Sequence, residues 1–416
     1  MKKLMIVMLC VLLCLAHGAV MAEDELTIVH VTDMHYLSPA LTDYGETFMA
    51  LIRNADGKVT HYTPQIMQTF VDEMLDLRPD AVILSGDLTF NGARKSHEDL
   101  AALLIQMADA GIRVLALPGN HDTSSTGYQF KGDQVLFVES MEDEAFDDVY
   151  ADLGYAQAIS RDAASMSYTA QIAPGVWCLM VDVNANGMSG TVAEETFVWI
   201  EDQLKTAQQQ GNTVIAVSHQ PMLIHNGLFT FGYVINNQSR LLELYEKYHV
   251  QLNLCGHLHM QHIARSGELT EIAASSLAVS PNQYGILRVK DGQLLSYQMQ
   301  PADVSAWAAR AAQTQSDLLG FADYSAGFFD RTTADQLAAM FQDTAIAPEE
   351  QEQMTRFAVA LNAEYFSGRR TITAEDPAWA MWEEYLPDSF FTYYMRSILQ
   401  EPPQDMTRCA FPAAEE

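Results

Sequence analysis

Five short motifs, each set at the end of an apolar run, restrict this chain more than its composition does. They are Asp33-Met34-His35, Gly86-Asp87, Gly119-Asn120-His121-Asp122, His219 and Gly256-His257-Leu258-His259. The runs before them, Leu26 to Thr32, Ala81 to Ser85, Arg113 to Leu117, Thr213 to Ser218 and Gln251 to Cys255, read as buried strands. Helical patterns over 64–78, 96–110 and 191–210 lie between strands, and such alternation predicts an α/β core. A chain of this kind must fold so that the ends of several buried strands meet, because that is where its carboxylates, amide and imidazoles stand.

Further strands are expected as a hairpin over 166–173 and 176–181, across Pro174-Gly175. The segments 270–277 and 284–300, the latter turning at Asp291-Gly292, read as closing strands. From Pro301 the pattern becomes helical, over 304–319, 333–341 and 348–366, and carries no metal-ligand motif. The expected organisation is therefore a catalytic domain over 23–300 and a small all-α domain over 301–416.

The first residues read as an address. Lys2-Lys3 precede an apolar run of 13 residues, Leu4 to Ala16, and small residues lead to Glu23. This is expected to be a secretory signal peptide over 1–22, because the run is too short to span a bilayer. The protein is then secreted, extracellular or in the cell envelope, without a stable membrane span after cleavage; a retained anchor is the alternative. Removing two lysines changes the formal net charge from −31 to about −33. So acidic a chain excludes nucleic-acid polymers as partners bound by its general field. It also repels anionic phosphate at long range, so local cations must supply attraction at a site. Three cysteines remain, Cys178, Cys255 and Cys409, and an odd number offers no disulfide framework. Cys178 and Cys255 lie in strand runs and are expected to pack as small apolar side chains.

Alone, each motif has a plain structural reading: Asp-x-His is a loop, Gly-Asp a turn, His219 a loop histidine. Together they make a ligand set. In an extended segment, residues i and i+2 share a side, so Asp33 and His35 can close on one ion. His257 and His259 can do likewise on one ion or on two neighbours. Asp87 has two oxygens and can bridge; Asn120 offers an amide oxygen and His219 an imidazole. Mixed nitrogen and oxygen donors suit manganese, iron, zinc or cobalt better than calcium. Two such ions about 3.5–4 Å apart polarise a phosphoryl oxygen and lower the pKa of a shared water.

The ordered set resembles the calcineurin-like metallophosphoesterases over roughly residues 26–300. The resemblance implies a four-layer α/β/β/α sandwich with metals at the strand ends. It also implies that Asp33, His35, Asp87 and His259 bind a first divalent metal, and Asp87, Asn120, His219 and His257 a second, with attack by metal-bound hydroxide. His121 would not be a ligand but a general acid or a stabiliser of phosphoryl charge, a role that suits an imidazole titrating near neutral pH. Asp122 would orient an imidazole or a loop amide, or be purely structural. Protein phosphatases of the family carry Asp and Arg shortly after Gly-Asp; Phe90 and Asn91 stand there. Gly-Asp-Leu-Thr with Gly-Asn-His-Asp looks like class III cyclic-nucleotide phosphodiesterases. The stretch Gly86 to His97 is similar to secreted Gram-positive members with a helical C-terminal domain, a likeness that extends into the tail at Trp307.

The expected function is thus a secreted phosphoesterase that hydrolyses small phosphodiesters, cyclic nucleotides among them, at two divalent metals. One alternative is a broad phosphomonoesterase or nucleotidase on the same metals; a second, from another class, is a non-catalytic binding module that kept the fold. Tyr385, Phe390, Phe391, Tyr393 and Tyr394 could stack on a base, although an aromatic stripe is more often core. His97, which opens a helix, His225, a loop length after His219, and Tyr284 are candidates for the substrate pocket. His30, His61, His249 and His262 read as structural or surface histidines.

Overall fold

A computed structural model describes residues 25–411, apart from 124 and 343. The signal-peptide reading of 1–22 lies outside the described residues. In chain order the first strands and helices are β1 (Leu26–Val31), α1 (Glu46–Arg53), α2 (Thr63–Leu77), β2 (Ala81–Ser85), α3 (Arg94–Asp109) and β3 (Arg113–Leu117). A small hairpin of β4 (Tyr128–Lys131) and β5 (Gln134–Phe137) and helix α4 (Asp143–Val149) precede β6 (Ser160–Arg161), β7 (Tyr168–Ala173) and β8 (Val176–Val181). Then come α5 (Glu194–Gln210), β9 (Thr213–Ser218), α6 (Gln238–Lys247) and β10 (Leu252–Cys255). The strands β11 (His262–Ser266), β12 (Leu269–Ala273), β13 (Gln283–Lys290) and β14 (Gln293–Pro301) close this part.

Two sheets result. The first has the order β14-β13-β1-β2-β3 plus one late strand at its edge, and β1, β2 and β3 run parallel. The second has the order β11-β12-β10-β9-β8-β7-β6, with β8, β9, β10 and β12 parallel. Parallel strands covered on both faces read as unbroken apolar runs, which is why β2 (AVILS) is buried at every residue. Side chains alternate across a strand, and here the two faces enter different cores. Cys178 and Met180 of β8 and Ile215 and Val217 of β9 face the first sheet, in one core with Ile28, Ile83 and Leu115. Leu179, Val181 and Ala216 point the other way, against Phe197, Ile200 and Leu204 of α5 and Leu241 and Tyr245 of α6. On the far side of the first sheet, α2 sets Phe70 against Tyr284 of β13, ring centroids 5.3 Å apart. The architecture is the α/β/β/α sandwich. Tyr284 is 1% exposed and belongs to that packing, so it cannot meet a substrate.

After Pro301 the chain forms α7 (Val304–Arg310), α8 (Ser316–Leu319), α9 (Phe321–Phe341) and α10 (Pro348–Ser367). A short β15 (Arg369–Arg370), α11 (Pro377–Tyr385), α12 (Phe390–Leu399), β16 (Gln404–Asp405) and β17 (Arg408–Ala410) follow. The expected single helix over 304–319 is broken at 311–315, and α9 starts earlier than the 333–341 pattern. The last strand departs most from an all-helical tail: β17 pairs with β14, Cys409 opposite Tyr297, and so completes the first sheet. Three residues are too few to show periodicity. The helical part does not stand apart either. Its core of Phe341, Met354, Trp382 and Met395 also takes in Leu258 and Met260, and Leu258 lies between His257 and His259. Among the described residues, no helix is long and apolar enough to cross a membrane. The cysteines Cys178, Cys255 and Cys409 are free and buried.

His61 joins the two parts. It is 7% exposed, its Nε2 lies 2.7 Å from the Tyr324 hydroxyl, and its ring lies 5.3 Å from that of Phe328. Burial holds its pKa down to about 4, against the pull of Asp317. An unfolded histidine titrates near 6.5, so between pH 6.5 and 4 the unfolded chain takes up a proton that the folded one refuses. Stability is then lost as pH falls through this window, by about 1.4 kcal/mol per pH unit. Thermal denaturation of His61→Gln between pH 7 and 5 should show a shallower loss of Tm than the parent protein; equal slopes would contradict a neutral buried His61.

Candidate metal centre

All five motifs leave the carboxyl ends of parallel strands: β1, β2 and β3 in one sheet, β9 and β10 in the other. Open α/β sheets place ligands at those ends. Here two sheets packed face to face bring both rows of ends together. The backbone then turns sharply. Asp33 (φ 51°), His35 (42°), Asp87 (47°), His257 (69°) and His259 (59°) are all in the left-handed region, where a non-glycine residue costs on the order of 1–3 kcal/mol. The residue pairs therefore do not share a side by being extended, as the spacing had suggested; each is aimed by its own turn. Hydrogen bonds hold the turns, Asp33 N to Gly86 O at 3.1 Å, His35 N to Asp87 O at 3.0 Å and Gly256 N to His219 O at 2.9 Å. Two glycines are demanded by close approach. A Cβ on Gly119 would stand 2.3 Å from the Asp87 amide and carboxylate, and one on Gly256 would stand 2.0 Å from Thr32 Oγ1.

The structure gathers two groups of donors that share Asp87: Asp33, His35, Asp87 and His259, and Asp87, His219 and His257, each within 4.8 Å. The resemblance implies these members, with Asn120 besides in the second set; His257 and His259 fall in different groups. In the first, Asp33 Oδ1 is 3.3 Å from His259 Nε2, and His35 Nε2 is 3.0 Å from His259 Nε2 and 3.8 Å from Asp87 Oδ2. In the second, His219 Nε2 is 3.2 Å from Asp87 Oδ1. Asp33 Oδ1 and His219 Nε2 are buried, yet neither makes a hydrogen bond. They are close to partners but misdirected toward them. Buried polar atoms left in this way are rare. Lone pairs that converge on a point rather than on a donor fit a cation, and the nitrogen and oxygen donors fit a divalent transition ion.

Electrostatics agree. Burial would lower the pKa of His219 and of His259, but Asp87 beside the one and Asp33 beside the other raise both to about 9. Against burial, these imidazoles hold Asp33 and Asp87 well below the usual carboxylate range. At neutral pH the two protons carry the positive charge that the carboxylates demand, and a bound divalent ion would take their place.

Asn120 follows Gly119, and its amide oxygen accepts a bond from Gln220 Nε2 at 3.3 Å. Gln220 is fixed in turn by Asn184 and Ser189. His121 is placed otherwise. Its backbone N–H donates to Asp87 Oδ1 (2.9 Å), its Nδ1 donates to the Phe90 carbonyl (3.1 Å), and Nε2 stands 4.0 Å from Asp87 Oδ2. Its side chain is 40% exposed, while those of His35 and His219 are fully buried. Asp122 orients loop amides: its carboxylate accepts from Leu88, Thr89 and Gly119 N–H groups at 2.8–3.0 Å, which ties the Gly86-Asp87 turn to the Gly119 loop.

His97 and His225 are both corrected as substrate candidates, because each is 2% exposed or less. His97 Nε2 meets Thr89 Oγ1 at 3.2 Å and Nδ1 meets the Tyr150 hydroxyl at 2.9 Å, so it props the hydroxyl that bonds Asp122. His225 lies behind the His219 loop on Glu271, whose carboxylate also takes the Met222 and Leu223 amides and the Asn253 side chain. Cys255 comes near this pair, but Glu271 already holds four donors and the place is structural. Other residues escaped the sequence reading. Asp56 Oδ2 lies 3.4 Å from His259 Nδ1 and 2.9 Å from Lys58 Nζ, the kind of carboxylate that orients a ligating histidine. Asp56, Lys58, Gln220 and Glu271 are single residues without a motif; only nearness in space marks them.

The chain is similar to known proteins in both its parts. A family model described as calcineurin-like phosphoesterase matches residues 26–261, and one described as the C-terminal domain of cyclic nucleotide phosphodiesterase matches 303–405. A Rhodococcus erythropolis protein named probable cyclic nucleotide phosphodiesterase is 26% identical over 269 residues, covering 64% of this chain and 76% of its own. One of the same name from Moraxella catarrhalis is 26% identical over 188 residues, 45% of this chain and 60% of its own. Among solved structures, a dimetal phosphatase from Danio rerio covers 66% of this chain and 95% of its own, at 12% identity and a TM-score of 0.48.

Titrating manganese into the metal-free protein at pH 7 should release protons, since His219 and His259 give theirs up. Calorimetry in two buffers of different ionisation heat measures this, and the histidine share of the release should fall away above about pH 9. Asp87→Asn should weaken binding beyond the roughly 10- to 100-fold that loss of an outer partner costs. Binding without proton release at pH 7 would contradict protonated His219 and His259 in the metal-free protein.

Proposed function

The chain belongs to the calcineurin-like phosphoesterases, metal-dependent phosphoester hydrolases, and from that premise we propose that it is a phosphodiesterase working with two divalent ions side by side. The observation that carries the reading is Asp87, one carboxylate shared by two groups of largely buried donors. Manganese, iron, zinc or cobalt would suit these donors. Asp33, His35, Asp87 and His259 would hold one ion, and Asp87, Asn120, His219 and His257 the other. When bound, such a pair supplies Lewis acidity toward a phosphoryl oxygen and lowers the pKa of water.

The chain's own part in the chemistry falls to His121. The Phe90 carbonyl keeps a proton on Nδ1, so the exchangeable proton is the one on Nε2, at the exposed edge facing Asp87. In the proposed reaction the imidazolium passes that proton to the leaving-group oxygen and is left neutral, still bonded to Phe90. Asp122 keeps both flanking loops in place while this happens, and the buried walls limit water to the open side.

Diester hydrolysis, with cyclic nucleotides as the leading class, is supported by the match over 303–405 and by the names of the Rhodococcus and Moraxella relatives. The leader reading of 1–22 adds a place outside the cytosol, where an extracellular nucleotide or an envelope diester would be the target.

Purified protein with manganese should hydrolyse bis-p-nitrophenyl phosphate and adenosine 3′,5′-cyclic phosphate faster than p-nitrophenyl phosphate, and chelator should abolish all three. A strong preference for the monoester would sink the diester assignment. His121→Ala should lower kcat about 10²- to 10⁴-fold with bound metal retained; loss of metal instead would make His121 a ligand.

A further inference from the structure

The two histidines of the last motif each touch, through one ring nitrogen, a loop that lies outside the five motifs. His257 Nε2 is 3.2 Å from the Gly232 carbonyl; a carbonyl can only accept, so that nitrogen carries a proton. His259 is turned the other way. Its Nε2 faces Asp33 Oδ1 and His35 Nε2 at 3.3 and 3.0 Å, and its Nδ1 faces Asp56 Oδ2 at 3.4 Å. A partner on one imidazole nitrogen settles the tautomer and the ring orientation, and leaves the other lone pair for an ion. For His257 the main chain does this. For His259 it falls to a side chain that is 44% exposed.

A carboxylate so open keeps one direction only where its backbone is fixed, since free rotamers cost entropy to order. Asp56 stands in the short connection after α1, and that connection is held from two directions. On the catalytic side, the Val59 N–H donates to the Ala278 carbonyl at 2.9 Å, and the buried Lys58 sets Nζ 2.9 Å from Asp56 Oδ2. On the other side is α9 of the helical part. Gln336 Nε2 donates to the Ala55 carbonyl at 3.2 Å. Gly57 lies against the Phe329 ring so closely that a Cβ would stand 2.5 Å from Phe329 Cδ2, and its φ of 83° is one that glycine adopts at little cost. Phe329 is 3% exposed and backed by Phe366 of α10, ring centroids 5.0 Å apart, so it has no room to give way.

Asp56 and Lys58 alone would be a plain ion pair two positions apart, and such pairs need no outside support. Here one oxygen of Asp56 serves Lys58 and His259 together, and both chain neighbours of Asp56, Ala55 and Gly57, touch α9. That is more constraint than an ion pair requires and the amount that aiming a carboxylate at one imidazole requires.

We propose that Asp56 is a positioning residue for the first donor group, acting through His259, and that α9 holds it there, so that the helical part sets the affinity of the catalytic domain for one of its two ions. The helical part supplies no ligand, yet metal binding depends on it. The assignment rests on the two-ion reading for which ion is affected, but the effect of Asp56 on binding can be measured without it.

The test is a titration of manganese into the full-length metal-free protein, read by calorimetry and by the electron paramagnetic resonance of the unbound ion, so no turnover is involved. Each variant is compared well below its own metal-free Tm, which separates weak binding from loss of fold. Asp56→Asn keeps the shape of the side chain without its charge; it should weaken one ion about 10- to 100-fold and leave the other near its parent affinity. Asp56→Glu should recover part of the loss. Gln336→Ala and Phe329→Leu leave Asp56 in the chain and should weaken the same ion by a smaller factor. Anomalous diffraction from Asp56→Asn crystals at limiting manganese should show that the peak beside His259 is the one lost. Unchanged affinities in Asp56→Asn, equal loss of both ions, or loss of the peak beside His257 instead would overturn the positioning role. Unchanged affinities in both α9 variants would overturn the hold by the helical part. If the parent protein binds a single ion, the two-ion reading falls, and the positioning role stands or falls on whether Asp56→Asn weakens that ion.

Discussion

The carboxylate of Asp87 is the point on which the rest of this structure depends. It belongs to both donor groups, and its other contacts explain most of the local sequence. Gly119 has no side chain because Asp87 fills that space, and the His121 amide is spent on Asp87 Oδ1. Asp122 holds the amides on either side of the same turn. Leaving two carboxylates buried and close would be prohibitive without positive charge. Here the raised pKa values of His219 and His259 meet that requirement with protons, and the same positions fit divalent ions.

The fold's contribution is to make such a cluster affordable. Five residues in the left-handed region would each be unfavourable in isolation. They persist because β1 to β3, β9 and β10 are buried on both faces and their ends cannot relax independently. Behind them the polar network is closed: Thr89, His97 and Tyr150 behind Asp122, Asn184 behind Gln220, Glu271 behind the loop after His219. These residues touch no substrate, yet each removes a freedom from one that would.

Much of this was legible in the sequence. Strands 81–85, 113–117 and 213–218 stand where their unbroken apolar runs end, and the motif residues at their ends come together. What could not be read depends on long-range contact. The hairpin β4–β5, with β5 exposed throughout, carries no core pattern, and β17 is three residues that pair with a strand more than a hundred positions away. His97 and His225 looked like site residues because they are near motifs in sequence, but burial turns them inward. Asp56 and Lys58 belong to no motif; the fold alone sets Asp56 beside His259 and Lys58 beside Asp56.

The helical part is bound to the same centre. Leu258, held between two motif histidines, packs in its core; full burial of such a side chain is worth about 1.5–3 kcal/mol. A disturbance there would be felt at His257 and His259 first. The account as a whole stands on two ions flanking one carboxylate, and anomalous diffraction at the manganese edge from crystals grown with manganese tests this directly. It predicts two peaks about 3.5–4 Å apart, both in contact with Asp87. A single peak, or two that do not share Asp87, would contradict it.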